Sequence, residues 1–151
     1  MMNSSALPFV GWRETVMVPA LADTLAFKAK VDTGATTSAI HVEDLELHEG
    51  SQSQAYASFS LNMTEEPDDR VSVVRHPVVA YRFVRSSSGH GSYRPVIRTA
   101  LCLGTALFDI DITLTGRDQM GFKMLIGRAA LRGRFHVDPN RSFVQREPNP
   151  A

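Results

Sequence analysis

Asp32, Thr33, Gly34, Ala35 and Thr36 lie in the stretch VDTGATTSAI, residues 31 to 40, where an apolar strand leads straight into a carboxylate and a run of small and hydroxyl residues. Asp and Gly turn well, so turn chemistry alone would account for their presence. A carboxylate at a strand end followed by glycine can also serve as an acid or base in a cleft. Gly34 lets backbone approach closely, and the hydroxyls of Thr33 or Thr36 can hydrogen-bond around Asp32. One carboxylate cannot hold a water as base while also donating a proton to the substrate. Peptide hydrolysis by aspartates uses two that share one proton, because like charges about 3 Å apart cannot both ionise. The chain contains Asp-Thr-Gly once. A twofold dimer would set Asp32 against its own symmetry mate and complete the pair.

Other chemistries find less support. GRDQMGFK, from Gly116, approaches a P-loop but has Phe122 where the phosphate-binding lysine must stand, so ATP has no cradle here. His41, His48, His76, His90 and His136 form no His-Glu-x-x-His helix and no paired spacing with cysteine, so no zinc motif is present. No serine occupies a Gly-x-Ser-x-Gly elbow. The lone Cys102, between leucines in ALCLG, reads as a buried apolar thiol.

The 151 residues fit one domain, 1–151 with a core of about 10–145, and 43% hydrophobic content with zero formal net charge suits a globular protein that binds neither nucleic acid nor membrane. No apolar run is long enough to span a bilayer and the first residues lack a signal-peptide pattern, so a cytoplasmic address is expected. Of 16 basic residues 13 are arginine, and Arg82, Arg85, Arg94 and Arg98 fall in one short region. Guanidinium forks suit carboxylates, although solvated strand faces would also carry such residues.

The elements that must position Asp32 read mostly as strands. WRETVMVPAL and TLAFKAKVDTG alternate as a hairpin, and AYASFSLNM alternates again. VSVVRHPVVAYRFVR and YRPVIRTALCL read as one long hairpin around the Gly/Ser tip SSSGHGS at 86 to 92. ALFDIDITLTG places Phe108, Ile110 and Ile112 on one face and Asp109, Asp111 and Thr113 on the other. Only FKMLIGRAALRG offers helix, stopped at Gly133, and RFHVDPNRSFVQ reads as strand, turn, strand. This pattern predicts an all-β barrel with one short C-terminal helix.

VDTGAT together with MLIGRAAL resembles the paired signatures of retropepsin-like aspartic proteases. VDTGATTSAIH, RPVIRTALCLG, LTGRDQMGFKMLIGRAAL and FHVDPNRSFV look more closely like a bacterial family catalogued as ATP-dependent zinc proteases, often found beside ATP-grasp ligases that add glutamate to proteins. The resemblance covers roughly residues 10 to 145. It implies a small closed retropepsin-like barrel, a homodimer, a peptide or protein substrate and no cofactor, since the ATP and zinc of the catalogue name match no motif here.

By this resemblance Asp32 is the catalytic carboxylate, Thr33 hydrogen-bonds across the dimer, and Gly34, Ala35 and Thr36 lie beside the substrate. Leu125, Ile126, Gly127 and Arg128 support the active-site loop, and Gly89, His90 and Gly91 tip a flap over the cleft. Arg85 and Arg94 would favour acidic or glutamate-rich peptides. Two departures stand out. Retropepsins usually carry an acid where this chain has Thr36, so Arg128 needs another partner, with Asp118 or Asp138 as candidates. Extra length around 43 to 75 would cover the cleft or replace the usual terminal dimer sheet. A peptide-binding module without catalysis, and a metal-dependent peptidase, remain the alternatives to an aspartic endopeptidase.

Overall fold

A computed structural model describes residues 6–64, 66–85, 88–116 and 121–149. Strands β1 (Phe9–Val10), β2 (Arg13–Met17) and β3 (Phe27–Asp32) open the chain. Alternation decides their faces. Phe27, Ala29 and Val31 enter the core, while Lys28 is exposed and Lys30 and Asp32 are half-buried on the opposite face. The expected β2–β3 hairpin is present, with Arg13 opposite Lys30 and Val16 opposite Phe27. Its connection holds a one-turn helix, α1 (Pro19–Ala22), that sequence reasoning did not foresee. Pro19 supplies a preset helical φ at the start, and Leu21 and Ala22 are buried.

The chain continues through β4 (Ser38–His41), β5 (Glu43–Glu49), β6 (Ala55–Leu61), β7 (Val71–Pro77), β8 (Ala80–Arg85), β9 (Gly91–Leu103), β10 (Ala106–Thr115), β11 (Met124–Gly127), helix α2 (Arg128–Leu131) and β12 (His136–Val137). One sheet has the order β10-β4-β11-β3-β2-β9-β8, and pairing of β9 with β10 closes all but β8 into a ring. The result is the expected closed barrel. Ile40, Leu101, Leu103, Ile112, Leu114, Met124 and Ile126 are fully buried within its core. β5, β6 and β7 form a separate three-stranded sheet whose Ala57, Phe59 and Leu61 pack into the same core.

Two expectations are corrected. The stretch 71–85 is two strands, because β7 pairs with β6 whereas β8 pairs with β9, and Val78 between them is buried. A single long hairpin arm would have left Val78 in solvent. Past β12, residues 138–145 form no second strand.

What holds that last segment is a carboxylate. Glu14 is completely buried on β2, and its Oε2 accepts the N–H groups of Gly11 at 2.7 Å and Val144 at 2.9 Å, its Oε1 that of Gln145 at 3.1 Å. Phe143 N–H adds a bond to Arg13 O, and Trp12 N–H one to Arg141 O. Within the chain, β1 also pairs with β12. Both terminal segments are thereby tied to their own barrel.

Glu14→Ala strands three donors and is expected to cost on the order of 3 kcal/mol, read as a lower urea midpoint. Cys102 is buried as expected, and burial pushes its thiol pKa up. It should resist a water-soluble thiol reagent at pH 8 in the folded protein and react fully once unfolded; rapid labelling of the native state would contradict this packing.

Candidate active site

Asp32 is the last residue of β3, held between β2 on one side and the parallel β11 on the other, with Gly127 in register opposite it. The chain turns at once, Ala35 N–H donating to Asp32 O at 3.2 Å. Gly34 N–H donates to Asp32 Oδ1 at 2.9 Å, which fixes the carboxylate's orientation and leaves Oδ2 outside that bond. The carboxylate is half-buried, whereas Thr33, Gly34 and Thr36 are exposed.

The start of α2 braces this loop. Arg128 N–H donates to Ala35 O at 2.8 Å and Ala129 N–H to Thr36 O at 3.0 Å, while Gly127 N–H donates to the buried Ser38 Oγ at 3.1 Å. Arg128 Nη1 reaches Thr33 O at 3.1 Å and Gly34 O at 3.2 Å. Asp138 is therefore not its partner; that carboxylate accepts Asn140 N–H, and Asp118 lies outside the described residues. The loop's backbone carbonyls replace the acid usual after Asp-Thr-Gly-Ala. Gly127 is required by contact: a Cβ there would meet Thr37 O at 2.7 Å and Ala35 O at 2.9 Å.

Asp32 opens into a cavity of about 400 Å³ that it lines with Ala35, Thr36, Leu125 and Arg94, and with Thr37, Ser38, Arg82, Val84, Thr113 and Thr115. Sequence reasoning missed the two threonines. β10 alternates Ile112 and Leu114 inward with Thr113 and Thr115 outward, so the pattern was available, but the pairing with β4 that brings them beside Asp32 is nonlocal. Arg94 Nη1 donates to Thr115 Oγ1 at 2.8 Å. Arg94 Nε and Thr37 Oγ1 are buried with no hydrogen-bond partner among the described residues.

Arg85, Gly89, His90 and Gly91 are not brought to this cavity. They lie at the β8–β9 hairpin end, where Arg85 Nη1 donates to Gly89 O at 3.2 Å; Ser86 and Ser87 lie outside the described residues. Ile126 points into the core. Nor does the 43–77 sheet contribute a lining residue among those described, so it does not cover the cleft as one expectation had it. Arg98 is engaged by Asp111, Nε to Oδ1 at 2.8 Å.

A model of the family described as RimB-like, retropepsin-like aspartic endopeptidase RimB, matches residues 9–148. The chain belongs to the RimB-like family. Its relatives include proteins named "Probable alpha-L-glutamate ligase" from Desulfotalea psychrophila, 41% identical over 76% of this chain, and from Parasynechococcus marenigrum, 40% identical over 88%. The matched segments cover 24% and 28% of those proteins, so the RimB-like chain spans about a quarter of their length. A solved structure from Legionella pneumophila, a protein of unknown function, shares the fold with TM-score 0.72 and 24% identity, covering 92% of this chain and 98% of that one. Among the described residues no three His, Cys, Asp or Glu side chains stand together as a metal site, and no helix is long and apolar enough to cross a membrane.

Gly127→Ala should lower stability by about 1–3 kcal/mol in thermal unfolding, because backbone must move to admit the methyl group. An unchanged midpoint would mean that the loop and α2 are not packed as described.

Proposed function

We propose that this RimB-like protein is an aspartic endopeptidase whose Asp32 forms a catalytic dyad with the Asp32 of a twofold-related copy. The observation that carries the reading is the half-buried Asp32 on a braced Asp-Thr-Gly loop, opening into its own cavity, in a chain matched by the family model over residues 9–148. In the dimer one carboxylate is ionised and takes a proton from water as the water oxygen attacks the peptide carbonyl carbon. Its protonated mate hydrogen-bonds to the carbonyl oxygen, and a proton then passes to the leaving amine as the C–N bond breaks. Thr33 is exposed in the single chain, as a residue that hydrogen-bonds across the dimer must be. The β8–β9 hairpin closes over the bound peptide, carrying Arg85 and Gly89 to Gly91 toward the cleft and excluding water.

Acidic or glutamate-rich peptides are the proposed substrates. Arg82 and Arg94 line the Asp32 cavity, and guanidinium groups there favour a carboxylate. Relatives named for glutamate ligation carry a segment like this chain, which suits a hydrolase acting on what such a ligase makes.

Asp32→Asn is expected to abolish cleavage of a mixed peptide pool between pH 4 and 7 with an unchanged circular dichroism spectrum; a folded mutant that still cleaves would exclude the mechanism. Arg94→Ala and Arg85→Ala should raise KM for acidic peptides selectively, by about tenfold for Arg94, the equivalent of about 1.4 kcal/mol for a charged hydrogen bond. Equal effects on neutral peptides would count against the substrate class.

A further inference from the structure

The chain has only three lysines, against thirteen arginines. Lys28 and Lys123 line a cavity of about 510 Å³ together with Arg13, Phe27, Met63 and Phe122, and no Asp or Glu lines it among the described residues. Lys30 lies between this cavity and the active site, on the same outward face of β3 as Lys28 and Asp32, directly opposite Arg13 on β2 and Leu125 on β11. Leu125 lines the Asp32 cavity, and Lys123, two residues earlier in the chain, lines the basic one. Two neighbouring parallel strands therefore connect the pockets along one surface.

We propose that this basic track is an exosite that holds an acidic stretch of the polypeptide substrate beyond the cleft. The proposal rests on the reading of acidic substrates given above and adds where the chain of carboxylates runs. From Asp32 to Lys28 is four residues of strand, about 13 Å. In an extended peptide, side chains on one side recur every ~6.7 Å, the same repeat that separates Asp32, Lys30 and Lys28. Acidic side chains of a substrate lying along β3 thus meet Lys30 and Lys28 in turn while the scissile bond lies at Asp32.

The cavity end is built to hold its cations in place. Arg13 donates from Nε to Ser142 Oγ at 3.1 Å, and its guanidinium lies 4.5 Å from the Trp12 ring and 4.9 Å from that of Phe143. Lys28 Nζ lies 5.9 Å from the Phe143 ring, and Trp12 meets Phe122 edge to face. Trp12 and Phe143 lie in the terminal segments that Glu14 fastens, so the same clamp places the two rings against Arg13.

The test uses the full chain carrying Asp32→Asn, which separates binding from turnover, and fluorescently labelled octaglutamate. Lys28→Glu with Lys123→Glu is expected to weaken octaglutamate binding roughly tenfold or more, and Lys28→Gln with Lys123→Gln to give a smaller loss. Triglutamate spans only ~10 Å and should lose much less. Octaglutamate binding that is unchanged in both double variants yet weakened by Arg94→Ala would overturn the exosite and leave the acidic-substrate reading intact. Tripolyphosphate bound as tightly through the same lysines would overturn the peptide assignment. Lysine-dependent octaglutamate binding by a protein whose wild type never cleaves would leave the exosite standing and refute the endopeptidase.

Discussion

The hydrogen bonds that join the start of α2 to the loop after Asp32 are the constraint on which the site depends. Three backbone N–H groups, of Gly127, Arg128 and Ala129, and the Arg128 guanidinium all donate into residues 33 to 38. At the beginning of a helix such donors have no partner within the helix, so the loop satisfies α2 while α2 shapes the loop. β11 makes this possible by running parallel to β3 with Gly127 beside Asp32, at a contact too close for a side chain. The carboxylate's aim, the loop's exposure at Thr33 and the cavity wall at Thr36 and Thr37 all follow from that one junction.

Around it the barrel closes into a ring, and the β8–β9 hairpin extends beyond it. β9 is divided in use: Val96 to Leu103 pair with β10 inside the ring, whereas Gly91 to Val96 pair with β8, every residue of which is exposed. Exposed Tyr81, Phe83 and Tyr93 on that hairpin are not packed into the core. The buried Glu14 acts oppositely. By binding residues 144 and 145 to β2 it keeps the C-terminal segment on its own barrel.

Much of this was legible in the sequence because it is local. Asp32 at a strand end, the inward and outward faces of β10, the Gly-Arg segment opening a helix and the buried Cys102 can each be read within about ten residues. The partner of Arg128 was not, because the loop's carbonyls carry no sequence signature and a carboxylate seemed the natural counterion. The break between β7 and β8 was hidden by an unbroken run of β-formers, and only the separate sheet that 43–77 builds shows why the chain must bend at Val78. Glu14 looked like an ordinary polar position on an alternating strand; its role depends on backbone 130 residues away. Thr113, Thr115 and the lysine track likewise need strand neighbours that spacing alone does not reveal.

The central claim is that two copies of Asp32 make one active site. It is tested most directly by measuring specific activity on an acidic peptide as wild-type protein is diluted, and again as folded Asp32→Asn chain is mixed in at constant wild-type concentration. A shared dyad predicts activity per chain that falls on dilution and is suppressed by the added mutant through inactive mixed dimers. Activity per chain that is independent of both would show that a single chain is sufficient and would contradict the account.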